Sequence, residues 1–352
     1  MSENEYDVIM SSMQDVAKEA GVSPATVSRT FRTPEATAMQ TRQRVLEVAE
    51  RLNYRPRLCA EIPAAAWDRS SALGFLISVT NCNSGIDPYH AGVLTGAQEE
   101  AGRHGLHLIV RTVFRHQRSL KEPIEWRSVV AGALLVGDAL PDVIAACAPD
   151  LPAVLIDDSD RSGPYDRVMT DSFYGALAAT RHLISMGHRR IAFVLNASEA
   201  RSFQERLRGY RHALWDAGIQ CVPEWVLTVP GGECLTSHLE PLLKCGCRPT
   251  AIVAASDLNA FAIMAACHRL GLSIPGDISV IGFDDISLSA HSHPPLTTMR
   301  ADKEQVGRLA VRRLLDRIEE RKEQNTGSPA FRVVVPAYLI ERDSCAPPRR
   351  DP

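Results

Sequence analysis

From Ala72 onward the chain alternates short apolar runs with stretches of helical period, and this alternation constrains the fold more than any other feature. Leu73-Gly74-Phe75-Leu76-Ile77-Ser78-Val79 is the first such run, and it reads as a parallel strand buried on both faces. Strands are predicted over Leu106–Val113, Ala133–Val136, Val154–Asp157 and Arg167–Thr170. A second series is predicted over Ile191–Leu195, Val226–Val229, Ala251–Ala255 and Ile278–Phe283. Helices are predicted over Ala91–His104, Ser172–Met186, Phe203–Ala217, Leu235–Lys244 and Leu258–Leu270. Strands alternating with helices give βαβ units and parallel sheets. About 270 residues are long for one sheet of this kind, so two lobes are expected.

The chain has 352 residues, enough for two or three domains. No apolar run approaches the ~18 residues that span a bilayer, so no membrane partner is expected. Met1 to Met10 has neither a basic start nor an apolar segment, so it reads as a disordered acidic leader rather than a secretion signal. The nine cysteines are odd in number and contain no C-x-x-C; Cys245 and Cys247 stand one residue apart, poor spacing for zinc. Reduced thiols in a cytoplasmic protein are expected.

Enzyme signatures are missing. There is no G-x-S-x-G, no Gly-Lys dipeptide for a phosphate loop, and no H-E-x-x-H. His291-Ser292-His293 lies beside two prolines and lacks further ligands at suitable spacing. Neither catalysis nor a cofactor or metal is expected. A solute-binding protein would need a secretion signal and would not need what precedes Ala72.

Residues 11–57 carry eight basic and five acidic side chains, a net +3 against −3 for the whole chain. Such asymmetry is expected where one module meets phosphate. Ser12 can cap a helix over Met13 to Ala20, and Gly21 stops it. Ser23-Pro24 opens a second helix, since Ser caps well and Pro is tolerated in the first turn. Thr37-x-x-Gln40 reads as a capping box for a third helix, with Val45, Val48, Ala49 and Leu52 on one face. A Gly-containing turn of about three residues between the first two is helix-turn-helix spacing. The second helix of that motif enters the major groove, which directs Pro24, Ala25 and Arg29 at bases. Arg29 suits bidentate pairing with guanine, while Thr26 and Ser28 suit phosphates. A solvated basic face on a three-helix scaffold fits the same pattern.

Gln14-Asp15-Val16-Ala17, Ala20-Gly21-Val22-Ser23, Thr26-Val27-Ser28-Arg29, Thr41-Arg42 and Leu52-Asn53-Tyr54-Arg55-Pro56 together resemble the DNA-binding head of the lactose/galactose repressor (LacI/GalR) family. The resemblance continues through Leu183-x-x-Met186-Gly187-His188-Arg189-x-Ile191, Arg206-Leu207-x-Gly209-Tyr210, Gly271-x-x-Ile274-Pro275-x-Asp277-Ile278-x-Val280-Ile281-Gly282-Phe283-Asp284-Asp285 and Pro295-Leu296-Thr297-Thr298. It implies an all-α helix-turn-helix head (11–57), a hinge or linker (58–71) and an α/β periplasmic-binding-protein-like core of two Rossmann-like lobes (72–345). The N-lobe is expected at about 72–170 and 300–329, and the C-lobe at about 171–298 and 330–345. Three crossovers are placed near 170, 299 and 330, with 346–352 a disordered tail.

The resemblance also implies DNA contacts from a hinge helix, here Arg57, Ile62 and Pro63. Pro63 falls where relatives place a leucine that wedges into the minor groove. Pro inside a helix costs about 3 kcal/mol, so a helix ending at Ile62 and a plain linker both fit.

Ligands of open α/β sheets bind beyond the carboxyl ends of strands. Asp284 follows the strand ending at Phe283, and Arg206 opens a helix near the same edge. Together they offer a donor fork and an acceptor to a hydroxyl-rich molecule, and each alone also reads as half of a structural ion pair. The resemblance implies that Arg206 and Asp284 hold an effector, commonly a sugar or nucleobase. It adds Tyr89 (in Asp87-Pro88-Tyr89-His90), Phe173, Glu233 and Ser256 to the pocket. Relatives carry Asn at the positions of Asp87 and Ser256, and often an aromatic near Glu233, which hints at an effector other than a standard hexose. Asp257, opening a helix, is expected to be a cap.

The expectation is a sequence-specific transcription regulator, a homodimer that represses from a double-stranded operator under control of a small polar effector. An activator or an effector-independent regulator fits the same sequence. No leucine heptads end the chain, so a tail-mediated tetramer is not expected.

Overall fold

The computed structural model describes residues 13–32, 37–52, 71–79, 86–114, 129–136, 151–157, 165–196, 201–229, 235–323 and 329–349. The chain divides into two units, Met1–Trp67 and Asp68–Pro352.

The first unit holds three helices among its described residues: α1 (Met13–Ala20), α2 (Pro24–Arg32) and α3 (Met39–Arg51). Gly21 takes φ +65° in the turn between α1 and α2, the left-handed region that glycine enters without a Cβ clash. Ser23 caps α2: its Oγ accepts from the Thr26 amide at 3.1 Å and its carbonyl accepts from the Val27 amide at 3.1 Å. Val16, Ala17, Ala20, Val27, Val45, Val48 and Ala49 form a small shared core, with Val22 and Leu52 packed against it. The expected capping box on α3 does not form. The Thr37 hydroxyl has no partner, and the Ala38 carbonyl takes the first helical bond, from the Arg42 amide at 2.9 Å.

Among its described residues the second unit contains two six-stranded sheets. The first is built from β1 (Ala72–Val79), β2 (His107–Phe114), β3 (Ala133–Val136), β4 (Ala153–Ile156), β5 (Asp166–Thr170) and β11 (Arg332–Val335). Its strands are all parallel, in the order β11-β5-β4-β3-β1-β2. The second is built from β6 (Ile191–Asn196), β7 (Val226–Val229), β8 (Ala251–Ala254), β9 (Ser279–Asp284), β10 (Thr297–Ala301) and β12 (Ala337–Ile340). Its order is β12-β10-β9-β8-β6-β7, parallel except where β12 runs against β10. The central strands β3, β4, β8 and β9 are buried along their whole length, as apolar runs without alternation require.

Helices α4 (Pro88–Arg103) and α9 (Lys303–Lys322) pack together on the first sheet, while α5 (Ser172–Ser185), α6 (Arg201–Asp216), α7 (Leu235–Lys244) and α8 (Asp257–Arg269) serve the second. Gly96 and Gly307 let α4 and α9 touch backbone to backbone: a Cβ on Gly96 would lie 1.9 Å from the Glu304 carbonyl oxygen, and one on Gly307 2.1 Å from that of Val93.

The chain passes between the sheets three times: after Thr170, after Ala301 and at Pro336. Asp171 caps α5 through the Tyr174 amide at 3.1 Å, and Asp302 caps α9 through the Gln305 amide at 3.0 Å, so two crossings end in an aspartate cap. The third crossing differs from the expectation near 330. Arg332–Val335 still pairs with β5 of the first sheet, so it does not belong with the C-lobe. The switch falls at Pro336, which has no amide hydrogen to continue a ladder.

The end of the chain also differs from expectation. Residues 346–349 are held against the second sheet rather than free: the Ala346 carbonyl lies 2.9 Å from His188 Nε2 and accepts from Ser279 Oγ at 3.0 Å. Arg349 pairs with Asp277 at 2.9 Å. The leader, the linker and residues 350–352 lie outside the described residues.

Candidate functional site

On α2, Val27 and Thr30 turn inward, with the Thr30 hydroxyl donating to the Thr26 carbonyl at 2.9 Å. The opposite face presents Pro24, Ala25 and Arg29 exposed, with Thr26 and Ser28 half-buried beside them. The Thr26 hydroxyl shares a 2.9 Å hydrogen bond with that of Ser23. The first turn of the helix is thus locked locally, while positions 24, 25 and 29 stay open. Arg57, Ile62 and Pro63 lie outside the described residues.

The second candidate site gathers where strands of both sheets end. Three aspartates there adopt left-handed backbone: Asp157 after β4 (φ 52°), Asp284 closing β9 (φ 113°) and Asp285 (φ 49°). Such geometry is uncommon outside glycine, and clusters of it mark ligand clamps. Arg206, 5% exposed, donates from Nη2 to Asp284 at 3.0 Å and from Nη1 to the Ala255 carbonyl. Its guanidinium lies 3.7 Å from the centre of the Phe283 ring, while Nε has no partner. Lys303, from the helix on the other sheet, donates to the carbonyls of Asp284 (2.6 Å) and Asp285 (3.0 Å). Asp285 is itself gripped by Arg300 and Arg342, each at 2.7 Å.

From the first sheet, the Tyr89 hydroxyl donates to Asp157 and lies 2.9 Å from Thr170 Oγ1, while the Thr170 amide donates to the other Asp157 oxygen at 3.1 Å. Asp87 caps α4 through the amides of Tyr89 (3.0 Å) and His90 (3.1 Å) and pairs with the His90 ring.

Charge is concentrated here. Burial pushes the Asp284 carboxyl up to about 7; Arg206 and Lys303 oppose that rise, and Asp257 and Asp87 add to it. Burial also raises Asp157 against the pull of Tyr89, His90 and Arg206. Burial pushes His90 down, but the hydrogen bond and charge of Asp87 outweigh it and the ring ends above its usual range. Near neutrality Asp284 is therefore both a carboxylate acceptor and a carboxylic-acid donor.

A raised folded-state pKa contributes stability that is full below about 4, the unfolded value, and is lost as pH rises through about 7. Asp284→Asn is accordingly expected to gain stability relative to the wild type as pH climbs through that window. Urea unfolding at several pH values checks this, and a parallel pair of curves would contradict it.

Beside this cluster, a narrow cleft is lined by residues of both lobes, among them Asp157, Thr170, Phe173, Arg201, Glu205 and Arg332. The buried Ser172 hydroxyl has no partner in the structure.

Of the expected pocket residues, Tyr89, Arg206 and Asp284 come together in one polar cluster, and Phe173 lines the adjoining space. Ser256 does not: its hydroxyl accepts from the Asn259 amide at 3.3 Å and caps α8, because its backbone is extended at the N-cap position. Asp257, expected as that cap, instead sits fully buried and accepts from Ser289 (2.6 Å), Thr298 (2.5 Å) and the Ile286 amide (2.9 Å). Glu233 lies outside the described residues. Asp157, Thr170, His90 and Lys303 were not anticipated as site residues, although Asp157 follows a strand and obeys the same strand-end rule as Asp284. Among the described residues, no group of three or more His, Cys, Asp or Glu could hold a metal, and no helix is long and apolar enough to cross a membrane.

Comparison with known proteins bears on both sites. Residues 12–57 match the family described as bacterial regulatory proteins, lacI family, and residues 180–345 match a periplasmic binding protein-like domain. The chain is 31% identical to the ribose operon repressor of Haemophilus influenzae, covering 89% of this chain and 94% of that protein. It is 32% identical to the HTH-type transcriptional repressor PurR of Aliivibrio fischeri, covering 89% and 93%. Among solved structures it resembles the transcriptional regulator CelR–cellobiose complex (TM-score 0.66, 26% identity, 95% of this chain and 99% of that one). It also resembles the lac repressor dimer bound to operator and the anti-inducer ONPF (TM-score 0.63, 25% identity, 96% and 99%).

Proposed function

Because the chain belongs to the lacI family of bacterial regulatory proteins, we propose that it is a repressor whose operator affinity is set by a small polar metabolite bound between the core lobes. The observation that carries this reading is the pairing of two built features in one chain. One is a helix that exposes Pro24, Ala25 and Arg29 while its other face is buried. The other is a polar cluster, contributed by both sheets, at the carboxyl ends of their strands.

Two heads of a homodimer read a pseudo-palindromic operator in successive major grooves, with half-sites about 34 Å apart. One similar regulator is solved as a cellobiose complex and another, of Enterococcus faecium, with bound ribose, which supports a sugar or related polar metabolite as the effector. The polar cluster supplies Arg206 as a donor and Asp157 and Asp284 as acceptors for such a molecule, and Phe173 stands in the adjoining cleft as an apolar wall. Lys303 already ties the two lobes together at this point, through the Asp284 and Asp285 carbonyls. The protein works in the cytoplasm and catalyses no reaction.

Arg29→Ala is expected to cost about 1–3 kcal/mol on the cognate duplex and to relax the preference at one base position. Anisotropy titrations against a panel of single-base variants measure both. Equal weakening on every duplex would make Arg29 a phosphate clamp rather than a base reader.

A further inference from the structure

We propose that Cys245 and Cys247 form a reversible dithiol–disulfide site that takes a low-molecular-weight disulfide as its oxidant. Both thiols are exposed on the turn between α7 and β8, at the amino end of the strand whose carboxyl end leads to Ala255 in the polar cluster, and their sulfurs lie 2.8 Å apart. That separation leaves no room for an intervening atom. The Cys247 amide also donates to the Cys245 sulfur at 3.4 Å, which folds the three-residue segment back on itself. Between them stands Gly246, where even an added Cβ would meet nothing within 4 Å, so the turn has open space in which to adjust.

The two thiols are not equivalent. The hydrogen bond from Cys247 lowers the Cys245 thiol below its usual range, and the same bond raises Cys247. Reactivity follows the thiolate, so Cys245 is the attacking sulfur. Two of the other described cysteines differ sharply: burial pushes Cys267 up to about 12 and Cys345 up to about 11, which keeps both protonated near neutrality.

The chemistry balances as two exchanges. The Cys245 thiolate attacks one sulfur of the oxidant, whose S–S bond breaks and releases a first thiolate. Cys247, giving up its proton to that leaving thiolate, then attacks the mixed disulfide at Cys245. The Cys245–Cys247 bond forms and the second thiol leaves. Two electrons pass from the cysteine pair to the oxidant, which becomes two thiols. A bridge across one intervening residue closes a tight ring, so it stays open to reduction.

The test uses the full chain with oxidised glutathione, followed by maleimide labelling under native conditions and peptide mass spectrometry. The expected result is loss of labelling at both Cys245 and Cys247, with two hydrogens fewer on their peptide, no retained glutathione, and full recovery on adding dithiothreitol. Cys267, labelled after unfolding, stays reduced. In Cys247→Ser the glutathione should remain attached at Cys245, because no second thiol displaces it. Both thiols remaining fully labelled in excess oxidant would overturn the proposal. So would a stable glutathione adduct on the wild-type pair. Both positions are exposed, so the substitution leaves the core untouched.

Discussion

Arg206→Ala is expected to abolish the response to effector while leaving operator affinity unchanged. The guanidinium joins the Asp284 carboxylate, the Ala255 carbonyl and the face of Phe283, and it does so while almost fully buried. Removing one partner of a buried pair costs about 3–5 kcal/mol, because the other charge is left without compensation. Here the remaining group has an escape: Asp284 already titrates near 7, and losing the cation raises it further. The stability cost should therefore be largest above pH 8 or so and shrink in mildly acidic solution, as Asp284 takes up a proton. Chemical denaturation across pH, run beside operator titrations with and without effector, separates the two effects. A surviving effector response would move the pocket away from Arg206.

Asp166→Ala is expected to destabilise the core by a similar amount, about 3–5 kcal/mol, for a different reason. Asp166 is 1% exposed and stands at the start of β5. It accepts from Arg317 at 2.8 and 2.7 Å, from Arg313, and from the Phe331 amide at 2.6 Å. These partners lie on α9 and just before β11, so one carboxylate ties the outgoing and returning crossovers to the first sheet. Burial would raise its pKa, but Arg317, the Phe331 amide and Arg313 outweigh that and hold it below the usual carboxylate range. Its contribution is present above about 4 and is lost as pH falls through the lower folded value. A cost below about 1 kcal/mol, the scale of an exposed pair, would show that Glu320 alone satisfies both arginines.

The parts of the fold legible in the sequence were those with a strong local signal. Strands such as Ala133–Val136 and Ala251–Ala254 are uninterrupted apolar runs, and burial on both faces demands that pattern. The turn at Gly21 and the cap at Ser23 are written in single residues whose conformational preferences are sharp. By contrast, β11 and β12 are four residues each with one proline between them, too short and too mixed to reveal that they serve different sheets. Helix α9 does carry a readable stripe in Val306, Ala310 and Leu314, yet nothing local says that Lys303 reaches the far lobe.

The candidate cleft divides the same way. Arg206 and Asp284 follow from the strand-end rule and the family resemblance together. The Tyr89–Asp157 contact joins residues 68 positions apart, and no spacing rule reaches that far. Ser256 takes the capping role expected of Asp257, and Asp257 is buried instead. One-residue shifts at a strand-to-helix turn decide which side chain caps and which is buried, and periodicity does not resolve such shifts.

Whether α2 reads DNA under control of the cleft is measured by first selecting duplexes from a random pool with the purified protein. The best duplex is then titrated against a scrambled one at fixed moderate salt, alone and with a panel of sugars and nucleobases. A preference of about a thousandfold or more for the selected duplex is expected, with a shift in that affinity on adding at least one metabolite. Equal affinity for every duplex, whatever metabolite is present, would contradict it.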